Sequence, residues 1–162
     1  EIIRAVRARI PADLPLILRY SQWKQQDYNA KLAQTPDELE AFLAPLSEAG
    51  IDIFHASTRR FWLPEFEGSD LNLAGWTKKL TGKPAITVGS VGLNSDFIGA
   101  FMGEASEKSG LDKLIERLDA GEFDLVGVGR ALLSDYAWAR KVKEGRFEDL
   151  EDFNAEALKE LA

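Results

Sequence analysis

The segments Ile86-Thr87-Val88-Gly89-Ser90-Val91-Gly92 and Leu125-Val126-Gly127-Val128-Gly129-Arg130 share one design, a β-branched apolar run that stops at glycines. Glycine at a strand end lets main-chain N–H groups approach a ligand, and Arg130 adds a forked, permanently charged donor. Two such ends on consecutive strands read as a phosphate cradle of the kind built after strands 7 and 8 of a β/α barrel.

Working outward, two further apolar runs precede this pair. The four candidate strands span residues 14–20, 51–57, 85–90 and 123–129, and their starts lie 37, 34 and 38 residues apart. That spacing suits strand, loop and helix in a βαβ unit. The runs are nearly continuous in apolar character, the pattern of strands covered on both faces.

Helical signals fill the gaps. Thr35-Pro36-Asp37-Glu38 is a capping box with proline at the first helical position, and it predicts a helix over 36–49 stopped by Gly50. Further helices are expected over 73–80, ended by Gly82, over 111–118, ended before Gly121, over 134–143, and in an acidic tail over 148–161. The opening residues 1–7 also follow a helical pattern. Two loops, 21–34 and 58–72, are long for βα connections. They carry Trp23, Lys24 and Tyr28 in the first, and Arg59, Arg60, Phe61, Trp62 and Phe66 in the second. Aromatic and cationic residues at the C-terminal ends of parallel strands suit a planar or anionic ligand.

Composition narrows the classes. With 162 residues, 45% hydrophobic and 29% charged, the chain is expected to form one domain over 1–162 with a real core. A net charge of −7 argues against nucleic acid or an anionic membrane as partner. No apolar run approaches the roughly 18 residues of a membrane span. The absence of cysteine excludes thiolate chemistry and fits a cytoplasmic protein. His55 is the single histidine, so no two-histidine metal or substrate site can form within the chain, and no metal is expected. Ser57 and Ser90 have no base placed by any pattern, so no hydrolase triad is read. The chain has no initiator Met and opens on a helix, which suggests a piece of a longer protein.

Four segments, taken in order, resemble the old yellow enzyme family. They are Leu16-Ile17-Leu18-Arg19-Tyr20-Ser21, Asp52-Ile53-Phe54-His55-Ala56-Ser57, Val88-Gly89-Ser90-Val91-Gly92 and Asp124-Leu125-Val126-Gly127-Val128-Gly129-Arg130. The resemblance covers essentially the whole chain and corresponds to the second half of a (β/α)8 barrel, four consecutive βα units. It implies an FMN-dependent NAD(P)H oxidoreductase that reduces activated alkenes or related acceptors. Arg19 matches the arginine at the flavin pyrimidine edge, where fixed positive charge favours the reduced anion. Gly89, Ser90 and Val91 match the turn that offers N–H groups to the flavin phosphate, and Gly129 and Arg130 match the pair that completes that site. The loop over 59–68 corresponds to a variable loop at the substrate mouth, which makes Arg59 and Trp62 substrate-side candidates. The family's substrate-holding histidine pair and tyrosine donor come from the barrel's first half and have no counterpart here. No catalytic residue is therefore expected within this chain, which alone should not turn over.

Other readings stand beside these. Arg19 could pair with a helix carboxylate, Arg130 with Asp124 or Asp135, and the 89–92 turn could be a simple reversal. His55 reads as a hydrogen-bonded core or barrel-interior side chain, Trp76 and Trp138 as core, and Lys78-Lys79 as a solvated face. A free half barrel would expose two sheet edges and an apolar inner face, so either homo-oligomerisation or another half-barrel association, or partial disorder of the long loops, is expected. Two rival functions remain: an inactive, self-associating half barrel, or part of another phosphate-binding barrel enzyme, in which Lys or Asp would be expected where Arg19 stands.

Overall fold

In the computed structural model, the described residues are 1–24, 26, 27, 29–94, 107 and 109–159. Tyr28 and the end of the acidic tail lie outside them. After α1 (Ile2–Arg7), strands β1 (Ile17–Ser21), β2 (Ile53–Ser57), β3 (Ala85–Val88) and β4 (Leu125–Gly127) alternate with α2 (Pro36–Glu48), α3 (Leu73–Thr81) and α4 (Asp112–Asp119). Two short helices, α5 (Arg130–Ser134) and α6 (Trp138–Lys143), follow β4. The strands form one parallel sheet in the order β1-β2-β3-β4. Sequential order without a reversal is barrel winding, as opposed to the doubly wound arrangement.

Strand register separates the two faces of the sheet. Leu18, Tyr20, Phe54, Ala56, Ala85, Thr87 and Val126 share the face that packs on the helices, with Phe54, Ala56, Ala85 and Thr87 fully buried. On the opposite face Arg19, His55, Ile86 and Leu125 form one row, while Ser21, Ser57, Val88 and Gly127 form the next. This second face has no helical cover among the described residues. Ile17 and Leu125 are 48% and 49% exposed there. The expectation of strands buried on both faces therefore holds for one face only.

The helix signals act as the chemistry dictates. Thr35 Oγ1 accepts the Glu38 N–H at 3.2 Å, the Glu38 carboxylate accepts the Gln34 N–H at 2.7 Å, and Pro36 occupies the first turn. Gly82 closes α3 in the left-handed conformation, φ +65°.

Strand and helix limits differ from the sequence expectation in instructive ways. The first strand begins at Ile17, because Pro15 has no N–H and the Leu16 N–H is taken by the Asp52 carboxylate at 2.7 Å. That carboxylate also pairs with Arg7, which anchors α1 through the Gly50 and Leu14 carbonyls. The helix expected over 134–143 is instead two helices. Its break lies at Asp135, whose buried carboxylate accepts the Ala137 N–H at 3.1 Å and Lys141 Nζ at 2.8 Å. The acidic tail is not one helix but two 3-10 turns, Phe147–Asp149 and Ala155–Leu158, separated by a fully buried Phe153. Lys78 is not simply solvated, since its Nζ reaches Asp124 at 2.8 Å and the Gly121 carbonyl at 2.9 Å. Trp76 and Trp138 are core residues, as expected. No helix among the described residues is long and apolar enough to cross a membrane.

Candidate functional site

The C-terminal ends of the strands and the loops that follow them enclose a cavity of about 660 Å³, within the usual range for small-molecule sites. Its floor includes Arg19, His55, Val88 and Gly127, and its far wall is the 89–91 turn with Gly129 and Arg130. All six residues proposed as cofactor contacts from the sequence line this one cavity, and Arg59 joins them.

Local backbone chemistry builds the turn. Gly89 has φ +142° and Ser90 has φ +48°, a left-handed conformation that a non-glycine residue rarely holds without support. The support is visible. The Ser90 hydroxyl donates to the Arg59 carbonyl at 3.0 Å, the Leu93 N–H reaches the Ser90 carbonyl at 3.2 Å, and the Phe61 N–H reaches the Gly89 carbonyl at 3.1 Å. Thr58 adds two bonds to the Val88 carbonyl, from its N–H at 3.3 Å and its hydroxyl at 2.5 Å. The 58–61 segment is thus stitched to the 88–90 turn.

Arg130, the first residue of α5, lies with one guanidinium nitrogen 3.4 Å from Ser90 Oγ and its charge 5.6 Å from the Phe153 ring centroid. Asp124 and Asp135, the carboxylates considered for it, are engaged by Lys78 and Lys141. At the other end, Arg19 Nη2 donates to Ser57 Oγ and Nη1 meets His55 Nε2, both at 3.0 Å. Arg19 therefore takes its contacts from the sheet and not from a helix carboxylate. Burial and the Arg19 charge hold the His55 pKa below its ordinary value, which favours the neutral imidazole.

The charge balance of the cavity is one-sided. Among the described residues its lining holds three arginines, at 19, 59 and 130, and no carboxylate, in a chain of net charge −7. Glycine keeps the space open: a β-carbon at 127 would lie 3.3 Å from His55 Nε2 and 3.2 Å from Val88 Cβ, and one at 129 would meet nothing within 4 Å.

The second long loop is held from behind by a buried polar network. Asn72 Oδ1 caps α3 at the Gly75 N–H, 2.9 Å away, while its Nδ2 donates to the Phe61 carbonyl at 2.8 Å and to Thr87 Oγ1 at 3.1 Å. Arg117 donates to the same carbonyl at 2.9 Å and pairs with Glu122 at 3.4 Å. A smaller cavity of about 240 Å³ lies between the two long loops, which meet where Gln22 and Lys31 reach Glu65 Oε1 at 3.0 and 3.3 Å.

Of the substrate-side candidates, Arg59 lines both cavities and Trp62 lines neither. Trp62 is half-buried and stacks edge-on against Phe61, with ring centroids 5.2 Å apart. Trp23, one of the loop aromatics that the sequence associates with a planar or anionic ligand, lines both cavities. His55, read from the sequence as a hydrogen-bonded core or barrel-interior side chain, also lines the larger cavity, as does Ser57, which carries no functional reading in the sequence. Their alternation with Phe54 and Ala56 along one strand was the available signal, because it assigns them to the face opposite the core.

No family model matches the chain. It is 29% identical over 154 residues to an NADH oxidase of Thermoanaerobacter brockii, a match that covers 90% of this chain and 20% of that protein. Among solved structures it is similar to a 2-naphthoyl-CoA reductase in complex with 2-naphthoyl-CoA, with a TM-score of 0.61 and 20% identity, over 94% of this chain and 21% of the other. The chain thus spans about a fifth of the length of each. The first comparison supports the resemblance to old-yellow-enzyme-type NADH:flavin oxidoreductases, and the second the barrel-type fold.

Proposed function

We propose that this chain is the second half of an FMN-binding β/α barrel, and that it supplies the flavin phosphate site and the ring-edge arginine of an NAD(P)H-dependent oxidoreductase. The observation that carries the reading is the cavity itself, with three arginines and no carboxylate among its described lining residues and a glycine turn at its far wall. FMN is a dianionic phosphate joined to a planar ring, and both parts have a fitting partner. Gly89, Ser90, Val91, Gly129 and Arg130 would hold the phosphate: the absent side chain of Gly89 lets the turn close on the 58–59 main chain, and Gly129 leaves the space beside it open. Arg19 would lie at the pyrimidine edge of the ring. Bound FMN would take reducing equivalents from NADH or NADPH and pass them to an activated alkene or related unsaturated acceptor.

The protein's own contribution is charge and position. Arg19 is held by two neutral partners and so keeps its full positive charge directed at the cavity. Arg59 and Trp23 flank the opening and would contact the acceptor or the nicotinamide. The remaining catalytic groups would come from the first four βα units. The fully soluble, cytoplasmic setting expected from the sequence belongs to the same reading.

The uncovered sheet face extends it. Ile17 and Leu125, with the half-buried Ile53 and Ile86, present apolar surface that the missing half of a barrel would cover. In isolation the chain would cover it by self-association.

The test is titration of the purified chain into FMN, followed by quenching of flavin fluorescence, beside Arg130→Ala and Arg19→Gln. Saturable binding that weakens at least tenfold in Arg130→Ala is the expected result. Absence of binding by the chain, or binding indifferent to both substitutions, would overturn the assignment of the phosphate site to this half.

A further inference from the structure

His55 holds a position that the proposed chemistry does not yet use. It projects from the middle of β2 onto the open face, next to Arg19 in the same row. Its Nε2 lies 3.0 Å from Arg19 Nη1, and the neighbouring Nη2 donates to Ser57 Oγ at the same distance. A guanidinium has donors only, so His55 Nε2 must accept, and the proton of the neutral ring must sit on Nδ1. Two residues of one strand, spaced two apart, thereby clamp both terminal nitrogens of a single arginine.

We propose that neutral His55 is a positioning residue that clamps Arg19 in place, and that its protonation releases that arginine, making the cavity's grip on an anionic ring edge sensitive to acid. The inference rests on the FMN reading for the identity of the ligand, but the clamp itself is a property of the free chain. Protonation of His55 turns its Nε2 from acceptor to donor and sets cation against cation at hydrogen-bond distance. Among the described residues of the lining, no carboxylate compensates. From β1 the facing group is Arg19, from β3 Ile86 and Val88, and from β4 Gly127, while the other charged groups lining the cavity are Arg59 and Arg130. All of these charges are positive, so a protonated imidazole would meet no carboxylate among the described residues of the cavity. Burial and the Arg19 charge already work against that proton. Gly127 completes the arrangement, since a β-carbon there would crowd Nε2 at 3.3 Å.

The chain has one histidine, so its imidazole nitrogens can be read without assignment by long-range proton–nitrogen NMR on the free chain. The expected result is a neutral ring protonated at Nδ1, with a titration midpoint below the ordinary value of 6.5. Arg19→Met, a change at an exposed side chain, should move the midpoint up and let the Nε2-protonated form appear. A wild-type ring protonated at Nε2, or a midpoint unmoved by Arg19→Met, would overturn the proposal. A second arm follows FMN affinity from about pH 8 to about pH 5, the window in which histidine titrates. The FMN phosphate takes up its own second proton at about pH 6 and weakens binding in both proteins, so affinity should fall severalfold further in acid for the wild type than for His55→Gln, which keeps an acceptor without a titrating group. An equal acid loss in His55→Gln would also overturn it. If FMN does not bind at all, the functional reading fails, and the NMR titration still decides whether the clamp exists.

Discussion

Gly89 is pressed against the main chain of Thr58, so that a β-carbon at position 89 would lie 2.7 Å from the Thr58 carbonyl oxygen and 2.8 Å from its hydroxyl. The neighbour is backbone and cannot swing aside, and φ of +142° is itself unfavourable for any L side chain. Gly89→Ala is expected to lower stability by about 2–3 kcal/mol, from strain and overpacking together. Urea unfolding of the two proteins measures it. A loss below about 0.5 kcal/mol would mean that the 58–59 segment yields without resistance.

Asn72 ties three elements together from a fully buried position, and its removal should be felt in both fold and site. Asn72→Ala strips the α3 cap and leaves the Thr87 hydroxyl without its amide partner, while Arg117 still serves the Phe61 carbonyl. The expected cost is about 2–3 kcal/mol. Amide exchange should show faster opening of 58–63 in the variant, because the Phe61 segment loses one of its two side-chain anchors.

Glu65 supplies a pH signature of known sign. Burial raises its pKa above the ordinary value of 4.5, against the opposing effects of Lys31 and Gln22. The folded state therefore binds this proton more readily than the unfolded chain does. Ionised Glu65 costs stability at neutral pH, and that cost fades as pH falls through its folded pKa towards 4.5. Glu65→Gln should raise the melting temperature near pH 7 and leave it unchanged in acid below that range. A lower melting temperature at neutral pH would show that the attraction of Lys31 outweighs burial.

The open face makes a prediction about association. Sedimentation velocity should report a mass that climbs above one chain as concentration rises. The double variant Ile17→Lys with Leu125→Lys, placed at two half-exposed apolar positions, should remain at 18.0 kDa. Monomeric wild-type behaviour at every concentration would remove self-association from the proposal.

Elements whose signal is local were legible before any coordinates. Thr35 and Pro36 announce α2 because a cap is a bond between residues three apart, and Gly82 announces the end of α3 because left-handed backbone selects glycine. Trp62 shows the complementary limit: a loop's composition does not say which of its side chains packs against Phe61. The break at Asp135 was equally hidden, since only the burial of its carboxylate beside Lys141 makes a helix stop where periodicity continues.

The sequence alone determined the four βα units, the glycines at the strand ends and the arginines that follow or precede them. These rest on spacing, backbone freedom and residue chemistry, all of which are written along the chain. Tertiary structure alone decided that Arg19 meets His55 and Ser57 and that Ser90 closes on Arg59. Those facts depend on which strands lie side by side and in what register, and partners 31 to 38 residues apart find one another only when the sheet forms.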